Sequence, residues 1–372
     1  MNYLPEHTEL SIDKLSAVFS SKTNSYKYYW FWSILDSIEK NENEKISIDE
    51  LCVDMFNKVW YPLNYFKLSF GKQDGFKEIE KEICKIFKID NSVDSQNVIS
   101  QLQNGLSNND FFRIKNKINN NISRYVQYRF LRPFFKSELT GIDDQFVNSK
   151  IEQLAFIRSQ TNPSQCLYYF DNKDIVINKI WRDYLIKNNK ILKNFCFYNL
   201  IDFLQKHNSN TIGLNNKIFK PSYRLHAKYK VSWQYFLNYN PDFRCIYSGA
   251  SVNDNFSLDH FIPWSVTAAD ESWNLIPTLK AINSKKSNNL PDFEKYGTAF
   301  TKTQFSYFNT LVSEANSFNT ILEEYSLIFK EPIDSIKEMT IENFYAIFNS
   351  LNEPRIQIAK NQGFNSNWIY KT

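Results

Sequence analysis

The residues of this sequence best suited to catalysis are Asp259 and His260, an acid and an imidazole at the end of the alternating run SLDHF (257–261). The chain has 4 histidines in 372 residues, so their positions are informative. Histidine exchanges protons near neutral pH, and carboxylate oxygens are ligands that Mg²⁺ prefers. The pair suits hydrolysis, although an isolated Asp-His pair is more often structural than catalytic.

Two asparagines follow at intervals that make the pair more informative. Asn274 lies in WNLIP (273–277), and Asn283 lies in INSKKSNNLP (282–291) on a predicted short helix. Upstream, CIYSG (245–249) predicts a strand and a turn. Alone, Asn274 would be a turn residue and the lysine-rich run a polar helix end; the combination is what favours a catalytic site.

In order, spacing and flanking residues, these four segments of region 240–295 resemble the HNH nuclease family. The resemblance implies a ββα-metal fold, in which a two-stranded hairpin packs on a helix and holds one divalent cation. Hydrolysis of a phosphodiester bond needs an activated water and stabilised charge on the phosphate, and such a site supplies both.

The resemblance also implies a role for each residue. His260 matches the general base, and Asp259 and Asn283 match the metal ligands. Asn274 matches the residue that orients the histidine ring, and Lys286 matches a basic position that can neutralise the phosphate. Hard oxygen ligands favour Mg²⁺, with Mn²⁺ as a possible substitute.

The cysteines argue against the structural zinc that many relatives carry. Cys245 has no nearby partner, and LKAI (279–282) stands where a second cysteine pair would lie. A structural zinc site needs about four Cys or His ligands, so no zinc is expected. Packing of four apolar residues must then hold the small fold: Trp264, Trp273, Ile276 and Leu290.

The rest of the chain is predicted to be mainly helical. Ser47 and Glu50 form a capping box before LCVDMFNKVW, and Trp30, Ile34 and Ile38 recur at helical spacing. CLYYFDNKDIVI (166–177) predicts a short hairpin. The predicted fold class is therefore mostly α, with a small α+β module near the C-terminal third. Four regions are expected: helical domain 1–207, basic and aromatic linker 208–239, HNH domain 240–295 and helical segment 296–372.

The linker carries alternating basic and aromatic residues. Such a strip suits phosphate contacts and base stacking, but it also fits a solvated linker, and the two readings stay open. The candidate nucleic-acid-binding residues are Lys217, Lys220, Arg224, Lys228 and Lys230.

Composition sets broad limits on function. The formal net charge is +4, which permits nucleic-acid binding without requiring it. The 5 cysteines are scattered, which favours a reducing cytoplasm over a disulfide framework. The N-terminus has no signal-peptide pattern, and the most apolar run, YYWFWSIL (28–35), is too short to cross a membrane.

These observations predict a metal-dependent endonuclease acting on DNA, in a restriction or anti-phage setting. Double-strand cleavage would need two sites, so a homodimer or a partner defence protein is possible. Two alternatives remain: a nucleic-acid-binding or sensor protein with a vestigial HNH fold, and an RNA-directed nuclease.

Overall fold

The computed structural model describes residues 4–20, 23–40, 43–71, 74–92, 95–220, 227–252 and 255–371. It divides the chain into two compact units. The first comprises Met1–Ser209 with Ile218–Lys220, and the second comprises Asn210–Lys217 with Pro221–Thr372. The predicted regions 240–295 and 296–372 therefore lie in the same compact unit.

The first unit is helical with one small sheet. Its elements are α1 (Ile12–Ser16), α2 (Tyr26–Lys40), β1 (Lys45–Ser47), α3 (Ile48–Trp60), α4 (Phe76–Ile86), α5 (Val98–Gly105), α6 (Asn108–Ile122), α7 (Val126–Leu131), α8 (Asp144–Thr161), β2 (Tyr168–Asp171), β3 (Asp174–Ile177), α9 (Lys179–Lys187) and α10 (Asn189–His207). The strands form an antiparallel sheet in the order β1-β3-β2, which confirms the predicted hairpin.

Local signals in the sequence explain the central elements of this unit. Ser47 caps α3, because its side chain accepts a hydrogen bond from the backbone N–H of Glu50. Trp30, Ile34 and Ile38 of α2 are all buried, as their helical spacing predicts. The indole of Trp30 donates to the hydroxyl of Tyr168 at 3.1 Å and so links α2 to β2.

The second unit contains one hairpin among helices. Its elements are α11 (Ala227–Tyr239), β4 (Ser257–His260), α12 (Trp264–Thr267), β5 (Leu275–Thr278), α13 (Lys280–Lys286), α14 (Phe293–Val312), α15 (Ala315–Phe329), α16 (Ile333–Lys337) and α17 (Ile341–Asn361). Strands β4 and β5 pair antiparallel, and α13 follows directly. The predicted class, mostly α with a small α+β module, is confirmed.

The helices after the hairpin supply much of the core around it. Phe261 stacks on Phe300 of α14 with ring centroids 4.0 Å apart, and Gln304 donates to the carbonyl of Leu275 at 2.7 Å. Trp264, Trp273, Ile276 and Leu290 are buried, as expected of a fold held by apolar packing. The hairpin thus has α14 as a scaffold.

No helix in the described ranges has both the length and the apolar character needed to cross a membrane.

The described part of residues 208–239 differs in two ways from the linker that the sequence predicts. Residues Ala227–Tyr239 form helix α11, although the basic residues obscure its helical periodicity. Lys217 is fully buried, and its ammonium donates to the carbonyl of Val266 at 2.7 Å. The enclosure of this side chain gives no support to the expected contact of Lys217 with nucleic acid, which stays a prediction.

Burial lowers the pKa of Lys217 to about 7, because desolvation penalises the charged form. Between that pH and the ordinary titration range of lysine, the unfolded chain binds one more proton than the folded chain. The free energy of unfolding should therefore rise with pH across this window. Below the window, the stabilising contribution of the neutral lysine is lost. When the pH is raised from about 7 to about 9.5, we expect the melting temperature of the wild type to increase relative to that of Lys217→Met. Thermal unfolding of both proteins at both pH values measures this difference; equal shifts would show that Lys217 does not titrate in this window.

Candidate active site

The hairpin places the two predicted catalytic residues side by side at the end of β4. Asp259 is paired with Ile276 and His260 with Leu275 across the two strands. Because successive side chains of a strand point to opposite faces, the carboxylate and the imidazole face different surroundings. Both are buried, with exposed fractions of 3% and 7%.

The carboxylate of Asp259 is held by two side chains. Its Oδ1 accepts a hydrogen bond from the ammonium of Lys286 at 3.0 Å, and its Oδ2 accepts one from the hydroxyl of Tyr247 at 2.6 Å. Lys286 also donates to the carbonyl of His260 at 2.6 Å. Burial lowers the pKa of Lys286, and the charge of Asp259 opposes that shift. The lysine of α13 thereby joins the helix to the end of β4.

A tight turn brings Tyr247 to this carboxylate. The backbone N–H of Gly249 donates to the carbonyl of Cys245 at 2.8 Å, and Gly249 has a φ of +70°. Glycine adopts this left-handed conformation without strain, so the turn predicted from CIYSG depends on it. Burial, followed by the nearby Asp259, raises the pKa of Tyr247 well above its ordinary value. The hydroxyl therefore stays protonated and donates.

The imidazole of His260 is paired with an acid that the sequence reasoning missed. Its Nε2 lies 2.8 Å from Oδ1 of Asp270. The main-chain carbonyl of Asp270 in turn accepts a hydrogen bond from the hydroxyl of Tyr229 on α11. A carboxylate beside Nε2 favours the tautomer with its proton there and with the lone pair on Nδ1. An acid in the loop between β4 and β5 was the available signal, but its contact could not be inferred without the loop's path.

Asn274 acts on the backbone that follows His260. Its Nδ2 donates to the carbonyl of Ile262, and its Oδ1 accepts from the N–H of the same residue, both at 2.8 Å. Its own carbonyl accepts from the N–H of Phe261 at 2.8 Å. These hydrogen bonds differ from the expected bond to the histidine ring. They hold the turn after β4, and so act on His260 through its main chain.

Asn283 fastens α13 to the start of β4. Its Nδ2 donates to Oγ of Ser257 at 2.8 Å and to the carbonyl of Leu258 at 3.0 Å. Since the amide nitrogen is engaged with the strand, the amide oxygen is the atom suited to a metal ion. Asn283 and Asp259 are thus both anchored where α13 meets β4.

The family comparison agrees with this geometry. Residues 245–292 match the family model for HNH endonucleases. This part of the chain is an HNH endonuclease domain. Its presence implies a nuclease with a nucleic-acid substrate, and HNH nucleases are metal-dependent. No curated protein and no solved structure shows significant similarity to the chain.

The HNH domain offers few protein ligands for a metal ion. Within the described ranges, no group of three or more His, Cys, Asp or Glu residues could hold one. Mg²⁺ keeps several of its waters and needs only one or two carboxylates, so Asp259 and the amide oxygen of Asn283 are suitable in type. Each oxygen of Asp259 has two lone pairs, so the contacts with Lys286 and Tyr247 leave capacity for a further ligand.

Lys286 and Cys245 occupy interior positions of the HNH domain. Lys286 is fully buried, so in this structure its charge serves Asp259 and is not available to a phosphate, contrary to expectation. Cys245 is also buried, and its thiol contacts the hydroxyl of Thr278 at 3.0 Å. The absence of structural zinc stays a prediction.

The basic strip is interrupted in the structure. Lys220 belongs to the first unit and donates to the carbonyl and the hydroxyl of Ser95, at 3.0 and 2.7 Å. Lys228 forms an ion pair of 2.7 Å with Glu324, and Lys230 is exposed on the same helix, α11. Arg224 lies outside the described residues. Among the described residues of the strip, Lys228 and Lys230 are exposed on one helix, and the contact of the strip with nucleic acid stays a prediction.

The pairing of Lys286 with Asp259 predicts strong coupling between the two residues. Lys286→Met leaves a buried carboxylate without its counter-ion, and Asp259→Asn leaves a buried ammonium. Either change should lower the free energy of unfolding by about 3–5 kcal/mol. The double variant should lose clearly less than the sum, because it leaves no unpaired charge. Urea unfolding of the wild type, the two single variants and the double variant measures this cycle. If the loss of unfolding free energy in the double variant equals the sum of the two single losses, Lys286 and Asp259 are not coupled as an ion pair.

Proposed function

We propose that the protein is a Mg²⁺-dependent endonuclease that hydrolyses phosphodiester bonds of DNA, with His260 as general base. The observation that carries this proposal is the 2.8 Å pair of His260 with Asp270 at the end of β4, inside the segment that matches HNH endonucleases. A base held by a second group in a fixed orientation is the arrangement that proton abstraction from water requires.

Asp270 supports this chemistry in two ways. Its carboxylate fixes the ring, so the nitrogen that takes the proton points in one direction. It also stabilises the imidazolium that forms when His260 accepts a proton from water. Tyr229 holds the main chain of Asp270, which links the orientation of the base to α11.

Asp259 and Asn283 would hold the metal ion, which is Mg²⁺ in this proposal and can be replaced by Mn²⁺. Bound there, the cation would supply charge stabilisation to the phosphate. The chain itself contributes rigid ligands: Lys286 and Tyr247 fix the carboxylate, and Ser257 helps to fix the amide.

We place this activity in restriction or anti-phage defence, where cleavage of foreign DNA is the task. One site of this kind cuts one strand, so a double-strand break would need two copies or a partner protein. Lys228 and Lys230 of α11 are candidates for contacts with the DNA backbone, and Arg224, which lies outside the described residues, stays a candidate as well.

One observation favours a second candidate function, a nucleic-acid-binding or sensor protein whose HNH fold no longer cleaves. Both oxygens of Asp259 already accept hydrogen bonds, and an ammonium sits where a cation would approach. Incubation with plasmid DNA and Mg²⁺, with EDTA as control, separates the two functions. A parallel incubation with RNA tests the alternative of an RNA-directed nuclease.

We expect His260→Ala to reduce plasmid nicking by about 10²- to 10⁴-fold, since it removes the general base.

Asp270→Asn keeps the shape of the partner of His260 but removes its charge. It should lower kcat by roughly tenfold or more while leaving KM close to that of the wild type. Initial rates over a range of DNA concentrations give both constants.

Glu271→Gln is the matched control for Asp270→Asn, because it neutralises the adjacent acid, which interacts with Glu324 and Arg355. This control should nick at close to the wild-type rate. Wild-type kcat in Asp270→Asn would rule out its role in positioning the base.

The metal ligands predict a second kinetic signature. Asn283→Ala should raise the Mg²⁺ concentration needed for half-maximal activity, because it removes an oxygen ligand, and excess Mn²⁺ should partly restore the rate. Asn283→Asp, which keeps an oxygen at this position, should need less metal than the alanine variant. Asn283 is a more specific probe of metal binding than Asp259, because loss of Asp259 also removes the counter-ion of the buried Lys286. Identical metal titrations for wild type and Asn283→Ala would remove Asn283 from the ligand set.

A further inference from the structure

The first unit contains a cavity whose residues have no part in the proposed cleavage. Its volume is about 1030 Å³, and its walls come from α2, α6, α7 and the segments around them. This is at the upper end of the range for small-ligand sites, roughly 300–1,000 Å³. The cavity therefore has room for a ligand of nucleotide size.

Positive charge predominates on the described walls. Five cations line the cavity, against the two carboxylates Glu78 and Asp144. The cations are Lys27, Arg124, Arg129, Arg132 and Lys136. Guanidinium and ammonium groups are the donors that proteins use to recognise a phosphate group.

The carboxylates only partly offset this charge. Asp144 accepts a bidentate pair from Arg129, at 2.7 and 2.9 Å, and lies 3.9 Å from Arg132. One acid thus serves two guanidinium groups. The ammonium of Lys27 donates to a neutral acceptor, the carbonyl of Val18, at 3.3 Å.

The pKa of Lys27 shows that its positive charge is unfavourable in this arrangement without an anion. Burial lowers its pKa to about 8, and repulsion from Arg132 and Arg129 contributes to the same shift. An anion placed among the three groups would relieve that repulsion and favour the charged lysine. The cations are therefore arranged to gain from an anionic ligand.

The other wall of the cavity carries polar groups and an exposed ring. The hydroxyl of Tyr26 accepts the N–H of Gly75 at 2.7 Å, and a side chain at Gly75 would approach that hydroxyl to 3.0 Å. Asn121 adjoins Gly75, and its amide offers both donors and an acceptor, as the edge of a nucleobase requires. Tyr125 also lines the cavity with 48% of its surface exposed, and the guanidinium carbons of Arg124 and Arg129 lie 5.1 and 5.8 Å from the centre of its ring.

We propose that this cavity binds a free nucleotide, with its phosphates on Lys27, Arg129 and Arg132 and its base beside Asn121 and Tyr125. The size of the cavity, its excess of cations and the amide of Asn121 together match a phosphate ester that carries a base. The same chemistry is present at the 5′-phosphate end of a nucleic-acid strand, so the experiment includes both sources.

Isothermal titration calorimetry on the full chain tests the proposal with five probes: ATP, AMP, adenosine, inorganic phosphate and a 5′-phosphorylated DNA decamer. ATP should bind, and adenosine and inorganic phosphate should each bind at least about tenfold more weakly, since each supplies one half of the contacts. Arg132→Gln should weaken ATP binding by about tenfold or more, because a charge-assisted hydrogen bond is lost.

Three controls separate binding from folding and from cleavage. Arg113→Gln removes an exposed cation of α6 that does not line the cavity, and it should bind ATP like the wild type. Lys27→Met should lose affinity while melting at or above the wild-type temperature, since it removes a repelled charge. His260→Ala should bind ATP normally, so failure of the nuclease proposal would leave this result intact.

Three outcomes would overturn the inference. The first is the absence of ATP and AMP binding at millimolar concentration, and the second is equal affinity in wild type and Arg132→Gln. The third is binding of the decamer alone, which would assign the cavity to the end of a strand rather than to a free nucleotide.

Discussion

The buried pair of Lys286 with Asp259 is the interaction on which the HNH domain depends. An ammonium with no exposure to solvent and a carboxylate with almost none are tolerable only together, because each would otherwise lose its hydration without compensation. The same ammonium reaches the carbonyl of His260. Helix α13 and the end of β4 that carries His260 are therefore fixed by one charge, and Tyr247 satisfies the other carboxylate oxygen.

The opposite face of β4 is organised by different groups. His260 meets Asp270 in the loop between the strands, and this loop is held by α11 and α15. Glu324 of α15 accepts from the N–H of Ser272 at 2.6 Å, and its other carboxylate oxygen lies 2.9 Å from the hydroxyl of Tyr229, whose one proton these contacts share with the carbonyl of Asp270. The helices outside the matched segment thus hold the loop that contacts His260. A hairpin and helix limited to residues 245–292 would lack these contacts, because α11 and α15 lie outside that range.

The parts of this structure that follow from local pattern could be predicted from the sequence. Strand β4 and helix α13 follow from short segments of the sequence, whereas the hairpin and the grouping of Asp259, His260 and Asn283 are what the resemblance to the HNH family implies. Asp270 was missed because its contact depends on the path of a loop, which no periodicity specifies. The basic strip predicts a phosphate contact for Lys217 and the family resemblance implies one for Lys286, but exposed and buried lysines look alike in a sequence. Their burial is decided by tertiary packing, and the cationic cavity likewise combines residues from four separate segments.

The alternation of side chains along β4 has a consequence for how this domain can change in evolution. Asp259 and His260 serve opposite faces, so a one-residue insertion or deletion within the strand would carry the acid to the face of Asp270 and the imidazole to the face of Lys286. Two like charges would then meet on one side, and a buried lysine would lose its counter-ion on the other. Insertions and deletions in the hairpin are therefore restricted to the loop between β4 and β5. Within that loop, they must leave Asp270 in contact with the ring of His260. Divergence of this domain should proceed by substitution at its periphery, while the register of its two short strands stays fixed.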